Sequence, residues 1–383
     1  MSDHPLIAHR SLLLGRFCVS FVLFFLSACN TLPVGADQLD RMPQADSLTV
    51  KPDSIAGYGR YAALGAADIM YLGKDSQYQS RVILRFALPD TALDSALSAQ
   101  LILHRKDSTA MTFVIRPCSS AWNSAAVSWR MADSVTHWLT PGGDYWNVAL
   151  GGGTFTGESL VIELDLGKLD TLVQPSFKQN GVLLFPQDSG FVALYSGYAA
   201  ATAPRLRIKY SGNAQSVYNS LDDAHLVDTI ALGRASAYRI GSGMVFRTYL
   251  RFPLECISPA ATIAEAELTF LPVVEYRRKD TLRIGVRRLL EPFARAGHNA
   301  KFADEADAVC RYVVSPESDS VATFDLRELV QFWTAHPDSN FGLLLVAEPE
   351  HSMMFRLGLA RTGPAAPTLR LLYVMPPNDR FFH

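Results

Sequence analysis

The feature that most constrains this chain is an internal repeat, because three short patterns occur twice in the same order. The offsets between the two occurrences are 166, about 160 and 163 residues, so one domain is present in two diverged copies. A unit of this length is normal for a single folded domain. The matching segments are 81–86 (RVILRF) with 247–252 (RTYLRF), 165–184 with 325–345, and 203–210 (APRLRIKY) with 366–373 (APTLRLLY).

We therefore predict two tandem domains, at 48–211 and 212–375, followed by a C-terminal tail at 376–383. Within each copy, short segments rich in Val, Ile and Phe are separated by clusters of Gly, Pro, Asp and Ser. Eight or more such strands per copy, with almost no helical periodicity, are typical of an antiparallel sandwich. The predicted fold is all-β, with two jelly-roll-like β-sandwiches.

One segment in each copy has helical spacing. In the second copy, Leu326, Leu329, Val330 and Trp333 lie at i, i+3, i+4 and i+7, with Asp325 in front as an N-cap. The first copy has a weaker version at 165–173. Each sandwich is therefore expected to carry one short structural helix across an open end.

The first 28 residues have the pattern of a signal peptide. A basic start is followed by an apolar run of ten residues at 17–26. As a helix this run would span about 15 Å, roughly half of a bilayer core. The run ends in Leu-Ser-Ala-Cys29, which resembles a bacterial lipobox. We predict a lipoprotein signal at 1–28 and lipidation of Cys29; the alternative is an ordinary secretory signal near a cysteine.

Residues 29–47 contain Pro, Gly and Asp with few large apolar groups, which predicts a flexible tether. Asn30 after the cysteine, by resemblance to enterobacterial lipoproteins, indicates the outer membrane. No later stretch is long and apolar enough for a membrane span, so a soluble remainder is expected. The chain is thus expected in the cell envelope, held to the membrane by its N-terminal lipid.

Charge and cysteine content exclude some classes of partner. Without residues 1–28 the chain has 33 basic and 36 acidic residues, a net of −3, and no Lys/Arg stripe. Nucleic acid is therefore not an expected partner. Cys118, Cys256 and Cys310 remain after processing, and none has metal-ligand spacing. A disulfide between Cys256 and Cys310, both in the second copy, and buried free thiols are both open. No cofactor is expected.

The order of the motifs resembles the DNRLRE family, extracellular β-sandwich domains similar to carbohydrate-binding modules. In the first copy the matching motifs are Leu84-Arg85-Phe86, Ala99-x-Leu101, Trp122-x-Ser124-x-x-Val127-Ser128-Trp129, Asp165, Asn180-Gly181 and Pro204-x-Leu206. The second copy repeats all of them except the tryptophan pair. Ser124 stands where the family has Glu. The resemblance implies a β-sandwich and, for some members, polysaccharide binding.

Aromatic residues form the first candidate ligand site. Glycan-binding proteins expose Trp and Tyr in loops, because sugar C–H faces pack flat on aromatic rings. Trp122 and Trp129 are expected instead to fill one end of the sandwich, since each would bury about 150–250 Å². Trp138, Tyr145 and Trp146 flank a Gly-Gly turn, and these three are the predicted ligand-binding residues, with a core role as the alternative.

A second group, Asp222, Asp223, His225 and Asp228, has oxygen ligands that suit Ca²⁺. It also falls where the second copy begins, and a solvated linker explains it equally well, so no metal site is predicted. Neither H-E-x-x-H nor G-x-S-x-G occurs, and no catalytic residue is assigned. The expected function is a non-catalytic binding or adhesion protein recognising polysaccharide through the first sandwich. The alternative is an assembly lipoprotein whose sandwiches contact envelope proteins.

Overall fold

The computed structural model describes residues 44–230, 237–314, 320–351 and 354–375. These residues form twenty-two strands and three α-helices, and the expected all-β fold is confirmed. The strands are β1 (Gln44–Val50), β2 (Ser54–Tyr61), β3 (Ile69–Lys74), β4 (Tyr78–Phe86), β5 (Ala96–His104), β6 (Thr112–Pro117), β7 (Gly151–Thr154), β8 (Ser159–Leu164), β9 (Val182–Pro186), β10 (Gly190–Tyr195), β11 (Arg205–Tyr210), β12 (Gln215–Thr229), β13 (Tyr238–Ser242), β14 (Met244–Arg251), β15 (Thr262–Phe270), β16 (Val273–Arg277), β17 (Thr281–Arg288), β18 (Ala308–Val313), β19 (Ala322–Asp325), β20 (Leu343–Ala347), β21 (Phe355–Leu359) and β22 (Thr368–Met375). The helices are α1 (Val173–Asn180), α2 (Phe293–Ala296) and α3 (Arg327–Ala335), with 3₁₀ turns at Leu166–Lys168, Ser211–Asn213, Gly297–Asn299 and Pro337–Ser339.

The first sandwich has a four-stranded sheet in the order β12-β11-β5-β8 and a larger sheet in the order β7-β6-β9-β4-β12. Strands β3 and β10 extend the larger sheet beside β4. Strand β12 belongs to both sheets, because its first part pairs with β11 and its second part pairs with β4. Inward side chains such as Leu84, Leu101 and Leu206 are fully buried between the two sheets.

The second sandwich repeats the order of the central strands, with β16 as an additional edge strand and with β1 and β2 in the place of the single strand β12. Its four-stranded sheet runs β1-β22-β15-β19, and its larger sheet runs β16-β21-β13-β14-β20-β17-β18 with β2 beside β14. The repeated sequence patterns occupy equivalent strands, β4 with β14 and β11 with β22. A second core, which includes Leu250, Leu268 and Leu345, lies between these sheets.

Strand pairing departs from the predicted boundary between residues 211 and 212. Residues 215–229, assigned by sequence to the second domain, pair with β11 and β4 of the first sandwich. Conversely, β1 pairs with β22 and β2 pairs with β14, so the N-terminal strands complete the second sandwich. The first sandwich is therefore inserted between β2 and β13. Strand β1 also begins at Gln44, inside the segment predicted as a tether.

The predicted helix of the second copy is present, although this copy also has the unpredicted one-turn helix α2, and the predicted helix of the first copy is displaced along the chain. In α3, Leu329, Val330 and Trp333 face the second core as predicted. Asp325 lies one residue before the N-cap position, and its carboxylate accepts the Arg327 N–H at 2.9 Å. In the first copy, 166–168 form a single 3₁₀ turn, and the α-helix begins at Val173, where the Asp170 carboxylate accepts the backbone N–H at 3.0 Å.

A buried polar cluster joins the two sandwiches. The rings of Tyr78 and Tyr276 lie 4.6 Å apart, and the Arg356 guanidinium lies 5.2 Å from the centroid of Tyr78. Arg356 is 1% exposed and donates to Glu275 at 2.8 Å, as does Arg239. Because a buried charge without its partner costs several kcal/mol, this pairing fixes how the surrounding strands meet.

Within the described residues, no helix is both long and apolar enough to cross a bilayer. The predicted signal peptide (1–28), the lipidation site Cys29, most of the tether and the C-terminal tail lie outside the described residues.

The strand exchange can be tested with two fragments of similar size. A chain that joins residues 44–61 to 237–383 through a flexible linker should unfold cooperatively, because it supplies β1 and β2 to the second core through Leu48, Val50 and Ile55. The sequential fragment 212–383 should lack a cooperative transition, since β12 does not belong to that sheet. Near-ultraviolet circular dichroism during thermal unfolding measures the difference. Equal cooperativity in the two fragments would contradict the exchange.

Candidate functional site

The tryptophan-rich segment, residues 122–146, covers the outer face of the larger sheet in the first sandwich. Trp122, Trp129 and Trp138 are 4–5% exposed and pack with Ile83 and Leu183 in one apolar cluster. Two of their indole N–H groups donate to backbone carbonyls, Trp122 to Asn180 and Trp138 to Ser128, both at 2.9 Å. Buried indoles with satisfied N–H groups are structural, as predicted for Trp122 and Trp129.

The predicted ligand-binding residues do not form an exposed platform. Trp138 is buried, so its ring has no face free for a ligand. Tyr145 is half-buried, with its ring 4.7 Å from that of Phe185 and the Arg116 guanidinium 5.4 Å from its centroid. Trp146 is half-buried, and its indole N–H is buried without a hydrogen-bond partner among the described residues. The turn that seemed open in sequence is folded against the sheet.

Replacing Trp138 by Ala should lower the free energy of unfolding by about 3–5 kcal/mol, because it empties a packed site and removes the bond to Ser128. Leu139→Ala is the matched control, since Leu139 is 91% exposed and should change stability little. Urea unfolding followed by fluorescence measures both. Equal, small effects in the two variants would contradict the core role.

A compact pocket of about 180 Å³ lies at the rim of the first sandwich, beside the tryptophan segment. Its members come from four separate regions: the crossing after β2, the tryptophan segment, the turn after β10, and the middle of β12. The lining residues are Gly65, Ser124, Gly197, Tyr198, Ser220, Leu221, Asp222 and Asp223. Tyr198 lies at the edge of the pocket and is 66% exposed. The pocket therefore combines an accessible aromatic ring with hydroxyl and carboxylate groups.

A bulge in β12 brings the two adjacent carboxylates to this pocket. Neighbouring residues of a regular strand point to opposite faces. The register of β12 against β4 shifts between Ser220 and Asp222, which leaves Leu221 as the extra residue, 61% exposed. A bulge of this kind re-aims the side chains beside it.

Asp222 is held by hydrogen bonds on both oxygens. Its Oδ1 accepts the Ser124 hydroxyl at 2.6 Å, and its Oδ2 accepts Arg85 Nε at 3.0 Å. Arg85 in turn lies 5.2 Å from the centroid of Trp122. Burial alone would raise the pKa of Asp222, but the bonds from Ser124 and Arg85 and the Arg85 charge bring the pKa below its usual value. Asp222 is therefore an ionised structural member of the pocket wall.

Asp223 has the opposite electrostatics. Only 5% of the residue is exposed, and burial is the main cause that raises the pKa of its carboxyl, with the Asp222 charge adding to it. Its Oδ2 accepts the Gly197 N–H at 2.6 Å and the Ser220 hydroxyl at 2.9 Å. Its Oδ1 accepts no hydrogen bond from the described residues, so one oxygen remains for a donor in the pocket. A Cβ at Gly197 would lie 2.7 Å from Oδ2, which explains the glycine.

These opposite shifts predict opposite pH dependences. The contribution of Asp222 to stability is present above its unfolded pKa of about 3.9 and is lost as the pH falls through the lower folded value. The contribution of Asp223 is present below about pH 3.9 and is lost as the pH rises through the higher folded value. Relative to wild type, Asp222→Asn should therefore lose less stability on acidification, and Asp223→Asn should gain relative stability from about pH 4 to pH 7.

Urea unfolding of wild type and both variants from about pH 2 to about pH 7 measures the two slopes, because the Asp222 effect falls below about pH 4 and the Asp223 effect above it. Slopes of the same sign for the two variants would contradict the assignment.

The remaining members of the predicted acidic group lie elsewhere. His225 is 1% exposed beside the ring of Tyr71, and burial, with a smaller effect of His351, lowers the pKa of His225 to about 3. Asp228 accepts the Tyr61 hydroxyl at 2.8 Å and Gln79 Nε2 at 3.0 Å. The four side chains therefore do not converge, and no group of three or more potential metal ligands occurs within the described residues.

The disulfide that the sequence left open is not formed. Cys256 is exposed after β14, Cys310 lies half-buried in β18, and both are free thiols. Cys118 is buried, donates its S–H to the Ser120 carbonyl at 3.2 Å, and has a pKa raised to about 12 by burial.

Sequence reasoning missed Tyr198 and Ser220 as members of a site. Tyr198 follows a Ser-Gly pair just after an apolar strand, which is a weak signal for an exposed turn. Ser124, the position that departs from the DNRLRE pattern, is the residue that bonds Asp222. No local pattern places it opposite a strand almost 100 residues later.

Comparison with protein-family models and with curated protein sequences finds no match for this chain. The resemblance to the DNRLRE family therefore stays a prediction from its motifs.

Proposed function

We propose that this protein is a lipid-anchored, non-catalytic binding protein of the cell envelope, and that its first sandwich recognises polysaccharide at the Tyr198 pocket. The anchor rests on the sequence around Cys29, and Asn30 directly after the cysteine, by resemblance to enterobacterial lipoproteins, supports an outer-membrane location. The observation that carries the binding proposal is an exposed tyrosine ring beside a pocket with a free carboxylate oxygen. This places the ligand at a different part of the first sandwich from Trp138, Tyr145 and Trp146.

The chemistry of the pocket suits a sugar ring. Tyr198 offers an apolar face for C–H groups, and Asp223 Oδ1 offers an acceptor for a sugar hydroxyl. A hydrogen bond to a charged group contributes about 1.5–3 kcal/mol, more than a neutral one. Because the wall holds two carboxylates and Arg85 is already paired with Asp222, an acidic sugar would meet net negative charge. The pocket therefore favours neutral polysaccharides.

The arrangement supports binding rather than hydrolysis. Glycosidases place two carboxyl groups on either side of the scissile bond. Here Asp222 and Asp223 are adjacent in one strand, and both oxygens of Asp222 are occupied by Ser124 and Arg85. Asp223 Oδ1 is then the carboxylate oxygen of the pocket wall that accepts no hydrogen bond from the described residues. One such acceptor is sufficient to bind a sugar hydroxyl group.

The alternative is an assembly lipoprotein that contacts envelope proteins. The observation that favours it is the interlocked architecture, because β1 and β2 fasten the second sandwich directly to the tether. The ring contact of Tyr78 with Tyr276 and the hydrogen bond from Arg278 to Asp107 then hold the first sandwich to it. Such a unit suits a scaffold as well as a receptor.

Affinity gel electrophoresis of residues 44–383 against neutral and acidic polysaccharides tests the proposal. A neutral polymer should retard the wild type, and Tyr198→Ala should abolish the retardation without a change in Tm, since Tyr198 is largely exposed. Phe332→Ala is the control, because Phe332 is an exposed aromatic residue on α3 of the second sandwich. Retardation unaffected by Tyr198→Ala would contradict this site, and no retardation by any polymer would favour the assembly role.

A further inference from the structure

The four-stranded sheets of the two sandwiches have outward faces of opposite charge. We call the outward face of β12-β11-β5-β8 the basic face and that of β1-β22-β15-β19 the acidic face. The two faces occupy equivalent positions in the duplicated fold. Both faces meet solvent, since Val161 and Val217 on the basic face are each 50% exposed and the side chains of Arg370 and Glu265 on the acidic face are 65% and 60% exposed.

The basic face has one strand of cations. Arg205, Arg207 and Lys209 alternate in β11 with Leu206 and Ile208, which are fully buried, so the three cations point outward. On one side of β11, the three cations pair in register with Ile102, Gln100 and Ser98 of β5. The next strand, β8, carries the outward acid Glu163. On the other side of β11, the register partners in β12 are Asn219, Val217 and Gln215. Three cations and one anion give a formal charge of +2.

The acidic face has the reverse composition. Glu265 and Glu267 of β15 and Asp325 of β19 point outward, because Ala266, Leu268 and Phe324 between them are buried. Arg370 of β22, 3.6 Å from Glu265, is the outward cation of the sheet. Three anions and one cation give a formal charge of −2, which becomes −1 if Arg327 at the margin is included.

The shape of the acidic face is also complementary to the basic face. A hollow of about 420 Å³ is lined by Glu265, Glu267, Thr323, Asp325 and Arg327. Side chains of the length of Arg205 and Arg207 could enter such a hollow and bring each guanidinium to a carboxylate. Arg–carboxylate pairs are frequently bidentate, which adds orientation to the attraction.

We propose that the basic face of one molecule docks on the acidic face of a second copy of this chain. The two surfaces differ, so the contact is heterologous, and a dimer keeps one free basic face on one molecule and one free acidic face on the other. Association therefore continues beyond the dimer, as a chain or a ring. This self-association concerns a different surface from the Tyr198 pocket and does not depend on polysaccharide binding.

The size of the faces predicts a weak contact. Four strands at about 4.8 Å spacing and six residues at about 3.3 Å give about 400 Å² per face. The total of about 800 Å² lies below the roughly 1,200–2,000 Å² of stable interfaces. Exposed ion pairs are also screened by salt within about 10 Å at 0.1 M. The contact should therefore form where the chain is concentrated, as on a membrane surface, and should weaken at high ionic strength.

Zero-length carbodiimide cross-linking tests this contact. The sample is the full-length protein reconstituted into phosphatidylcholine vesicles. If the protein is recovered in soluble form, it is instead used at about 0.5 mM in low salt. The reagent joins Lys209 to a carboxylate that it touches. A ladder of cross-linked species is expected, with Lys209 linked to Glu265 or Glu267 by mass spectrometry, and the ladder should be lost in high salt.

Two charge-reversal variants provide matched controls. Arg205→Glu with Arg207→Glu makes both faces negative, and Glu265→Arg with Glu267→Arg makes both faces positive, so neither variant alone should form the ladder. A mixture of the two should restore a cross-linked pair, because each then presents a native face to the other. Restoration also shows that both variants are folded.

Three outcomes would overturn the proposal: no cross-linked ladder in the wild type, a ladder that persists in both variants, or no cross-linked pair in the mixture of the two variants. Wild type that binds anionic phosphatidylglycerol vesicles but forms no ladder would assign the basic face to a lipid surface instead.

Discussion

The architecture depends on the hydrogen bonds that join the first two strands to the far end of the chain. Strand β1 pairs with β22 over seven residues, and β2 pairs with β14 over eight. The first sandwich is thereby inserted into the second, and it is reached only through residues 62–68 and 230–237. The predicted tether leads directly into the second sandwich, so the first sandwich and its pocket are the part not attached to the tether.

Because the first sandwich is inserted between two strands of the second, the two sandwiches lie in contact with each other. Gln77 of the first sandwich donates to the Glu275 carbonyl at 3.3 Å, and Arg278 donates to the Asp107 carboxylate at 3.3 Å and to the Phe191 carbonyl at 3.0 Å. Removing one partner of a part-buried charge pair leaves the other charge unpaired, which is costly. These contacts hold the first sandwich in a defined position against the second.

Much of the fold was predictable from local pattern. The strand content, the duplication and the buried face of α3 follow from periodicity, which is a property of a few consecutive residues. The position of α1 was not predictable from Leu spacing, because Asp170 bonds the backbone and starts the helix at Val173. The candidate site was not predicted: Asp222 and Asp223 were considered in sequence only as metal ligands and set aside, and the exposure of Tyr198 and the burial of Trp138 depend on contacts between distant segments.

The sequence by itself determined that the chain contains two copies of one all-β unit, because hydrophobic alternation and repeated motifs are local. Tertiary structure alone decided which strand closes which sandwich, since β1–β2 and β12 hold equivalent positions in their units and only the strand pairing assigns β1–β2 to the second sandwich and β12 to the first. It also decided which aromatic rings remain in contact with water: Trp138 is buried by a segment that folds over β4 and β9, and Tyr198 is left exposed. The physical reason is that the burial of a side chain depends on all the residues packed around it, and most of these are distant in sequence.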